Sequence, residues 1–352
     1  MGRMSWVKLW VTAGAAIGAF ASVAIAQEKI ELSLPLACEP HKTCFIQNYF
    51  DLDPGSGVRD YACGVAAYDK HTGVDFRLIS AEAAKSGVSV IASADGTVKG
   101  VRDGVTDIFI RDATSDLKGR DCGNGVVLDH GNGWETQYCH MMMGSVTVSK
   151  GQTIKRGDKL GHVGFSGMAD FAHVHLTVRR NGEAIDPFLP DAKDGTCQRD
   201  GKSAGLWQPA AIAPFAYRSG EIITSGFTGV APNLDSLEKS HTVEPLDEVS
   251  PALLFYARFI NLLAGDRIRI VIDGPGGTLV EQLSEPLERN KATYVSYAGK
   301  KRREVPWQQG RYEARAEIVR DGGVIAAAVG QHDMAPVKGP EIAPEKGIEK
   351  AP

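Results

Sequence analysis

The sequence predicts a mainly β chain in two parts, a core of short antiparallel strands followed by a C-terminal β-sandwich. Three observations carry this. Forty glycines with only 7% aromatic residues favour turns and strands over a helical bundle. Gly131-Asn132-Gly133 lies between strand-like residues 126–130 and 134–140, a hairpin signal. Further on, Tyr312, Ala314, Ala316 and Ile318 alternate with Arg311, Glu313, Arg315 and Glu317, the pattern of a half-buried sheet. At ~150 residues per domain, a chain of 352 residues makes two domains.

Taken in order, the chain opens with Arg3 and Lys8 before an uncharged apolar run, residues 9–26, that ends in the small-residue pattern Ala24-Ile25-Ala26. This reads as a signal peptide over residues 1–26, cut before Gln27. An uncleaved anchor is the competing reading, weakened by Gly14, Gly18 and many alanines. No later stretch is apolar enough to span a bilayer, so no stable membrane span is expected after cleavage. Cleavage leaves 37 basic and 43 acidic residues, a net charge of −6. That balance excludes a nucleic-acid partner. With 43% hydrophobic and 23% charged residues the composition is that of an ordinary globular protein.

Six cysteines follow the cut, and an even count in an exported chain points to disulfides. Cys122 and Cys139 fall roughly opposite each other in the hairpin. Cys38 and Cys44 pair by proximity, and Cys63 with Cys197 by elimination. Residues 27–62 form an N-terminal segment. Residues 63–205 hold the glycine-punctuated strands, with residues 81–85 as one helical turn or two. Residues 206–334 carry the alternating runs of the sandwich, expected to fold independently and to add reach or partner binding without chemistry. The basic run 300–303 reads as a solvated turn, and residues 335–352, rich in Pro, Lys and Glu, as a disordered tail.

Chemistry concentrates in two segments about a hundred residues apart, His71-Thr72-Gly73-Val74-Asp75 and His173-Val174-His175. On a strand, His173, His175 and Thr177 share one face while Val174, Leu176 and Val178 share the other. The two imidazoles then sit ~6.6 Å apart at Cα, near enough for one to ligate a metal and the other to reach water beside it. An extended 71–75 segment would set His71 and Asp75 ~13 Å apart, so the chain must bend, and Gly73 is the residue expected to allow it. A His-Asp-His set suits a catalytic zinc, with three protein ligands and an open fourth position. No H-E-x-x-H helix supplies a glutamate base, so the proton acceptor is sought in His173 and His140. Simple alternation along residues 134–140 places Trp134, Thr136, Tyr138 and His140 on one face, with Tyr138 lining the cleft beside His140.

In combination these residues, with Gly123-Asn124-Gly125-Val126-Val127-Leu128-Asp129-His130, Gly161-His162-Val163-Gly164-Phe165-Ser166-Gly167 and Asp186-Pro187, resemble the LytM and lysostaphin-type zinc metallopeptidases, the M23 family. The resemblance covers residues 63–190. It implies a small antiparallel β-sheet core with a narrow cleft formed by loops. It also implies one Zn2+ per chain on His71, Asp75 and His175, a catalytic pair His140 and His173, and a peptidoglycan stem or cross-bridge peptide as substrate. Ala172 stands where the family often has proline, which removes no functional atom.

The expected function is therefore an exported zinc endopeptidase acting on peptidoglycan, periplasmic or extracellular at the bacterial cell wall. The alternatives are a non-catalytic wall-binding or regulatory protein and a peptidase acting on other extracellular proteins. The remaining histidines read as structural: His130 at the hairpin, His162 on a glycine-flanked strand, and His41, His241 and His332 without chemical partners in sequence. Asp170 could orient an imidazole, although an exposed loop position is the more common reading.

Overall fold

The computed structural model describes residues 1–2, 29–113, 119–193, 195–303 and 306–335. The expected signal segment, apart from Met1 and Gly2, and the expected tail, apart from Ala335, lie outside the described residues. No helix among the described residues is long and apolar enough to cross a membrane.

The N-terminal half contains β1 (Cys44–Asn48), β2 (Val74–Leu78), α1 (Ala81–Lys85), β3 (Ser89–Ile91), β4 (Gly96–Arg102), β5 (Asn124–Gly131), β6 (Trp134–Met141), β7 (Thr153–Ile154), β8 (Lys159–His162), β9 (His173–Arg180) and β10 (Glu183–Ile185). Its main sheet runs β1-β2-β9-β6-β5-β4-β7, with β10 added to β9, and β3 pairs separately with β8. Every pairing within these two sheets is antiparallel. Short strands and tight returns give this meander, as the glycine punctuation predicts. Asn132 and Gly133, with φ of 51° and 79°, turn β5 into β6. Both turn residues at positive φ match the right-handed twist of the flanking strands.

The face of this sheet formed by Val74, Phe76, Leu128, Tyr138, Val174 and Leu176 is buried in one apolar core. Three disulfides join Cys38 to Cys44, Cys63 to Cys197 and Cys122 to Cys139, the expected pairs. The core runs past Gly205: Leu206, Trp207, Ile212 and Phe215 are buried in it. The latter two belong to α2 (Pro209–Ile212) and the 3-10 turn after it.

The C-terminal half contains β11 (Glu221–Thr228), α3 (Leu234–Lys239), β12 (Ala252–Leu262), β13 (Arg267–Gly274), β14 (Gly277–Leu283), β15 (Lys291–Lys301), β16 (Gly310–Arg320) and β17 (Gly323–Met334). Sheets β11-β12-β15 and β14-β13-β16-β17 form the sandwich. Between them Phe255, Ala257 and Phe259 of β12 meet Ile268, Ile270, Ala316 and Ile318. The other face of β12 turns to the N-terminal half. Ile260 packs there with Phe45 and Ile223, Arg258 donates to the Ile79 carbonyl, and Asn261 donates to Gln47 O at 2.8 Å. Covered on both faces, β12 is buried over its last ten residues, which is why it reads as a nearly unbroken apolar run.

Candidate active site

Three neighbouring strands build the site, with Asp75 and Arg77 on β2 paired to His175 and His173 on β9, and Cys139 on β6 paired to His175. Because side chains alternate, these residues share the face opposite the core. His71 lies just before β2, where Lys70 takes up a left-handed conformation with φ 63°. Between His71 and Asp75 the chain bends at Gly73, as expected. Gly73 also gives clearance: a Cβ there would sit 2.5 Å from Leu176 O and 2.7 Å from His175 Nε2.

His71, Asp75 and His175 converge. His71 Nε2 is 3.2 Å from Asp75 Oδ1 and 3.0 Å from His175 Nδ1, and His175 Nδ1 is 2.8 Å from Asp75 Oδ1. Ligands ~2.0–2.1 Å from a tetrahedral ion lie ~3.3 Å from one another, so the three donors fit one small cation with modest spreading. The surroundings preset each donor. His71 Nδ1 donates to Tyr49 O at 2.6 Å, leaving Nε2 with its lone pair. His175 Nε2 bonds Thr177 Oγ1 at 2.9 Å, which turns Nδ1 inward. Asn48 Nδ2 donates to Asp75 Oδ2 at 2.7 Å, leaving Oδ1 to the imidazoles. Such outer partners fix tautomer and orientation.

His140 and His173 lie beside this set, their ring centroids 4.5 Å apart. His140 Nδ1 donates to Ser166 O and His173 Nδ1 to Phe171 O, both at 2.8 Å, so each ring keeps a free Nε2 lone pair. His173 Nε2 is 3.6 Å from Asp75 Oδ1. His140 reaches this face through a β-bulge. Asn124 pairs with Met141 but Val126 with Tyr138, so Cys139 and His140 together oppose Gly125. His140 sits there at φ 61°, a conformation that surrounding structure must hold.

The bulge overturns the simple alternation expected for β6. Tyr138 is fully buried in the core, its hydroxyl 2.8 Å from Ser93 N, and does not line the cleft. Asp170 is exposed and holds Arg111 through its carbonyl, so the orienting acceptors for the catalytic candidates are backbone carbonyls. His130 bonds Asp95 O and Thr136, in a structural role. His41 has a partner that sequence could not supply, Glu221 at the start of β11.

Electrostatics suit the division of labour. Burial alone would raise the Asp75 carboxyl, but the surrounding imidazoles outweigh it and hold the group well below its ordinary value. His71 shows the converse: burial lowers it, but the Asp75 charge, the hydrogen bonds to Asp75 and Tyr49 O and the Asp51 charge together raise it more. Burial and then the neighbouring His173 and His175 push His140 well down. Burial likewise lowers His173 despite the opposing Asp75 charge. Both shifts favour the neutral ring, the form in which an imidazole accepts a proton.

The profile of Peptidase family M23 matches residues 69–187. The chain carries an M23 peptidase domain. Within it lie all five residues of the candidate site, whereas Asn48 and Tyr49 enter from the segment before it. The chain is 30% identical over 135 residues to an uncharacterized metalloprotease of Haemophilus influenzae, covering 38% of this chain and 24% of that one. It is 33% identical over 119 residues to the DD-carboxypeptidase/endopeptidase Mpg of Neisseria meningitidis serogroup B, covering 33% and 22%. The chain thus spans about a quarter of the length of these relatives. A solved structure described as a zinc containing peptidase from Vibrio cholerae matches at 24% identity and a TM-score of 0.27, covering 42% of this chain and 41% of that one.

Contributors to which sequence reasoning assigned no role include Asn48, Tyr49, Phe171, Thr177 and the fully buried Arg77. Thr177 was legible as the next residue on the His173 and His175 face. Asn48 and Tyr49 carried no local signal, because their roles depend on β1 pairing with β2.

Proposed function

We propose that this protein is an exported, zinc-dependent endopeptidase that hydrolyses peptide bonds in peptidoglycan. The observation that carries the reading is a three-donor set, His71, Asp75 and His175, with two imidazoles of free Nε2 on the same sheet face. The Neisseria relative's description as a DD-carboxypeptidase/endopeptidase supports the substrate class, and three disulfides agree with work outside the cytoplasm.

His71 Nε2, Asp75 Oδ1 and His175 Nδ1 are the atoms that would hold the ion. When bound, zinc supplies a Lewis acid that polarises a carbonyl and acidifies water. His173 Nε2 accepts the proton of the attacking water, since Phe171 O already holds its other nitrogen. The proton that His173 has taken from the water then passes to the leaving amine, and His140 Nε2, whose lone pair is likewise free, is a second base on the same sheet face.

Sacculi digested with the zinc-loaded mature protein test this reading. New amine termini and soluble muropeptides are expected, abolished by chelation and restored by zinc. A metal-free chain that binds sacculi without cutting them would favour the wall-binding alternative, and cleavage of a soluble protein but not of sacculi would favour a peptidase of other substrates.

A further inference from the structure

Beside His173, on the neighbouring strand, lies a charge that no carboxylate among the described residues of the M23 domain neutralises. Arg77 of β2 is fully buried and pairs in register with His173. Its guanidinium donates to Leu78 O at 3.1 Å and to the Gln47 side chain, and it lies 4.7 Å from the centre of the Phe171 ring. Its carboxylate partner is Glu238 of α3, in the C-terminal half, at 2.6 Å. Arg258 of β12 is equally buried, donates to Leu237 O at 2.6 Å and lies 3.6 Å from the same carboxylate. Two buried guanidiniums thus share one carboxylate. Burial, and then the like charge of Arg77, draw Arg258 down to about 10, still cationic at neutral pH.

From Arg77 the contacts lead to the chemistry. The Phe171 ring that Arg77 covers stands 4.4 Å from the His173 ring, and Phe171 O is the acceptor that fixes the His173 tautomer. A buried cation needs a partner held in place, because losing it leaves an uncompensated charge. A shift of Arg77 toward water would therefore release Phe171, and with it both constraints on the imidazole.

We propose that Glu238 is a positioning residue for His173: it holds Arg77 against Phe171, so the C-terminal half sets the geometry of the candidate catalytic histidine. This rests on the reading above that His173 works on substrate. It assigns the C-terminal half a part in the chemistry, where sequence alone suggests only reach or partner binding.

The test uses the full mature chain, loaded with zinc, as Glu238→Gln and Arg77→Met. Arg77→Met leaves Glu238 paired with Arg258, so one variant keeps its charges balanced if the other folds poorly. Both are expected to retain about one zinc per chain and an unchanged KM on a cross-linked muropeptide, with kcat reduced roughly 10- to 100-fold. In histidine-labelled protein the ring resonances of His173 should move in both variants while those of His130 stay. The double variant should be no slower than Arg77→Met alone, since Glu238 acts through Arg77. The proposal is overturned if kcat and the His173 resonances stay at wild-type values, if only thermal stability falls, or if the two losses in kcat multiply. If the wild type hydrolyses no muropeptide, the functional reading fails, and the His173 resonances alone decide the coupling.

Discussion

Each imidazole of the site is fixed by one outer contact, and the contact chosen decides which nitrogen is free. His71, His140 and His173 spend Nδ1 on backbone carbonyls, whereas His175 spends Nε2 on Thr177. Crowding around His175 leaves no room for a β-carbon at residue 73. Gly73→Ala should push the His175 ring out of place and weaken zinc binding roughly 10- to 100-fold, measured by competition with a chromogenic chelator; wild-type affinity would contradict the clearance role. Away from the site, Asp186 is 2% exposed, and its Oδ2 has no partner among the described residues. Burial pushes its carboxyl from 3.8 up to about 7. The folded state thus keeps a proton that the unfolded chain releases near pH 4, and stability is lost as pH rises from there to about 7. Asp186→Asn should gain in Tm relative to wild type between pH 5 and 8, and a pH-independent difference would rule this out.

At the scale of the strand, periodicity was a good guide wherever pairing was regular. The H-x-H face and the alternation of β13 and β16 follow it. It failed at β6, because a bulge is a property of two strands: the two-against-one register at Cys139 and His140 needs Gly125 opposite, where a Cβ would meet Tyr138 O at 2.4 Å. The Cys122–Cys139 disulfide ties this bulge down next to His140. Replacing both cysteines with serine should lower stability by about 3 kcal/mol, the value for a loop of this size. Turnover should fall with zinc retained, because His140 is not a ligand. Zinc loss in step with activity would mean that the bridge supports the ligand set instead.

For the whole molecule, the glycine-rich and alternating halves were legible because each has its own hydrophobic pattern. The contacts between them were not: Arg77 and Glu238 are 161 residues apart, and nothing local to either names the other. One signal was available. Arg258 interrupts the apolar run of β12, and a cation in a strand buried on both faces demands a partner from another element. The N-terminal core also draws on Leu206, Trp207, Ile212 and Phe215. A chain ending at Gly205 should therefore fail to unfold cooperatively, and the full mature chain should unfold with its two halves coupled. A truncated chain with a sharp thermal transition and bound zinc would show that the N-terminal half stands alone.

The central claim is the division of roles between two histidines on one strand face, and zinc stoichiometry tests it most directly. His173→Ala and His175→Ala are dialysed side by side against the same metal-buffered solution, and zinc per chain is counted. His175→Ala removes a donor that lies within hydrogen-bond distance of the other two, and should lose the metal and all activity. His173→Ala should keep close to one zinc per chain while turnover falls roughly 10²- to 10⁴-fold. If His173→Ala loses the metal and His175→Ala keeps it, the two roles are reversed and the account of the site is wrong.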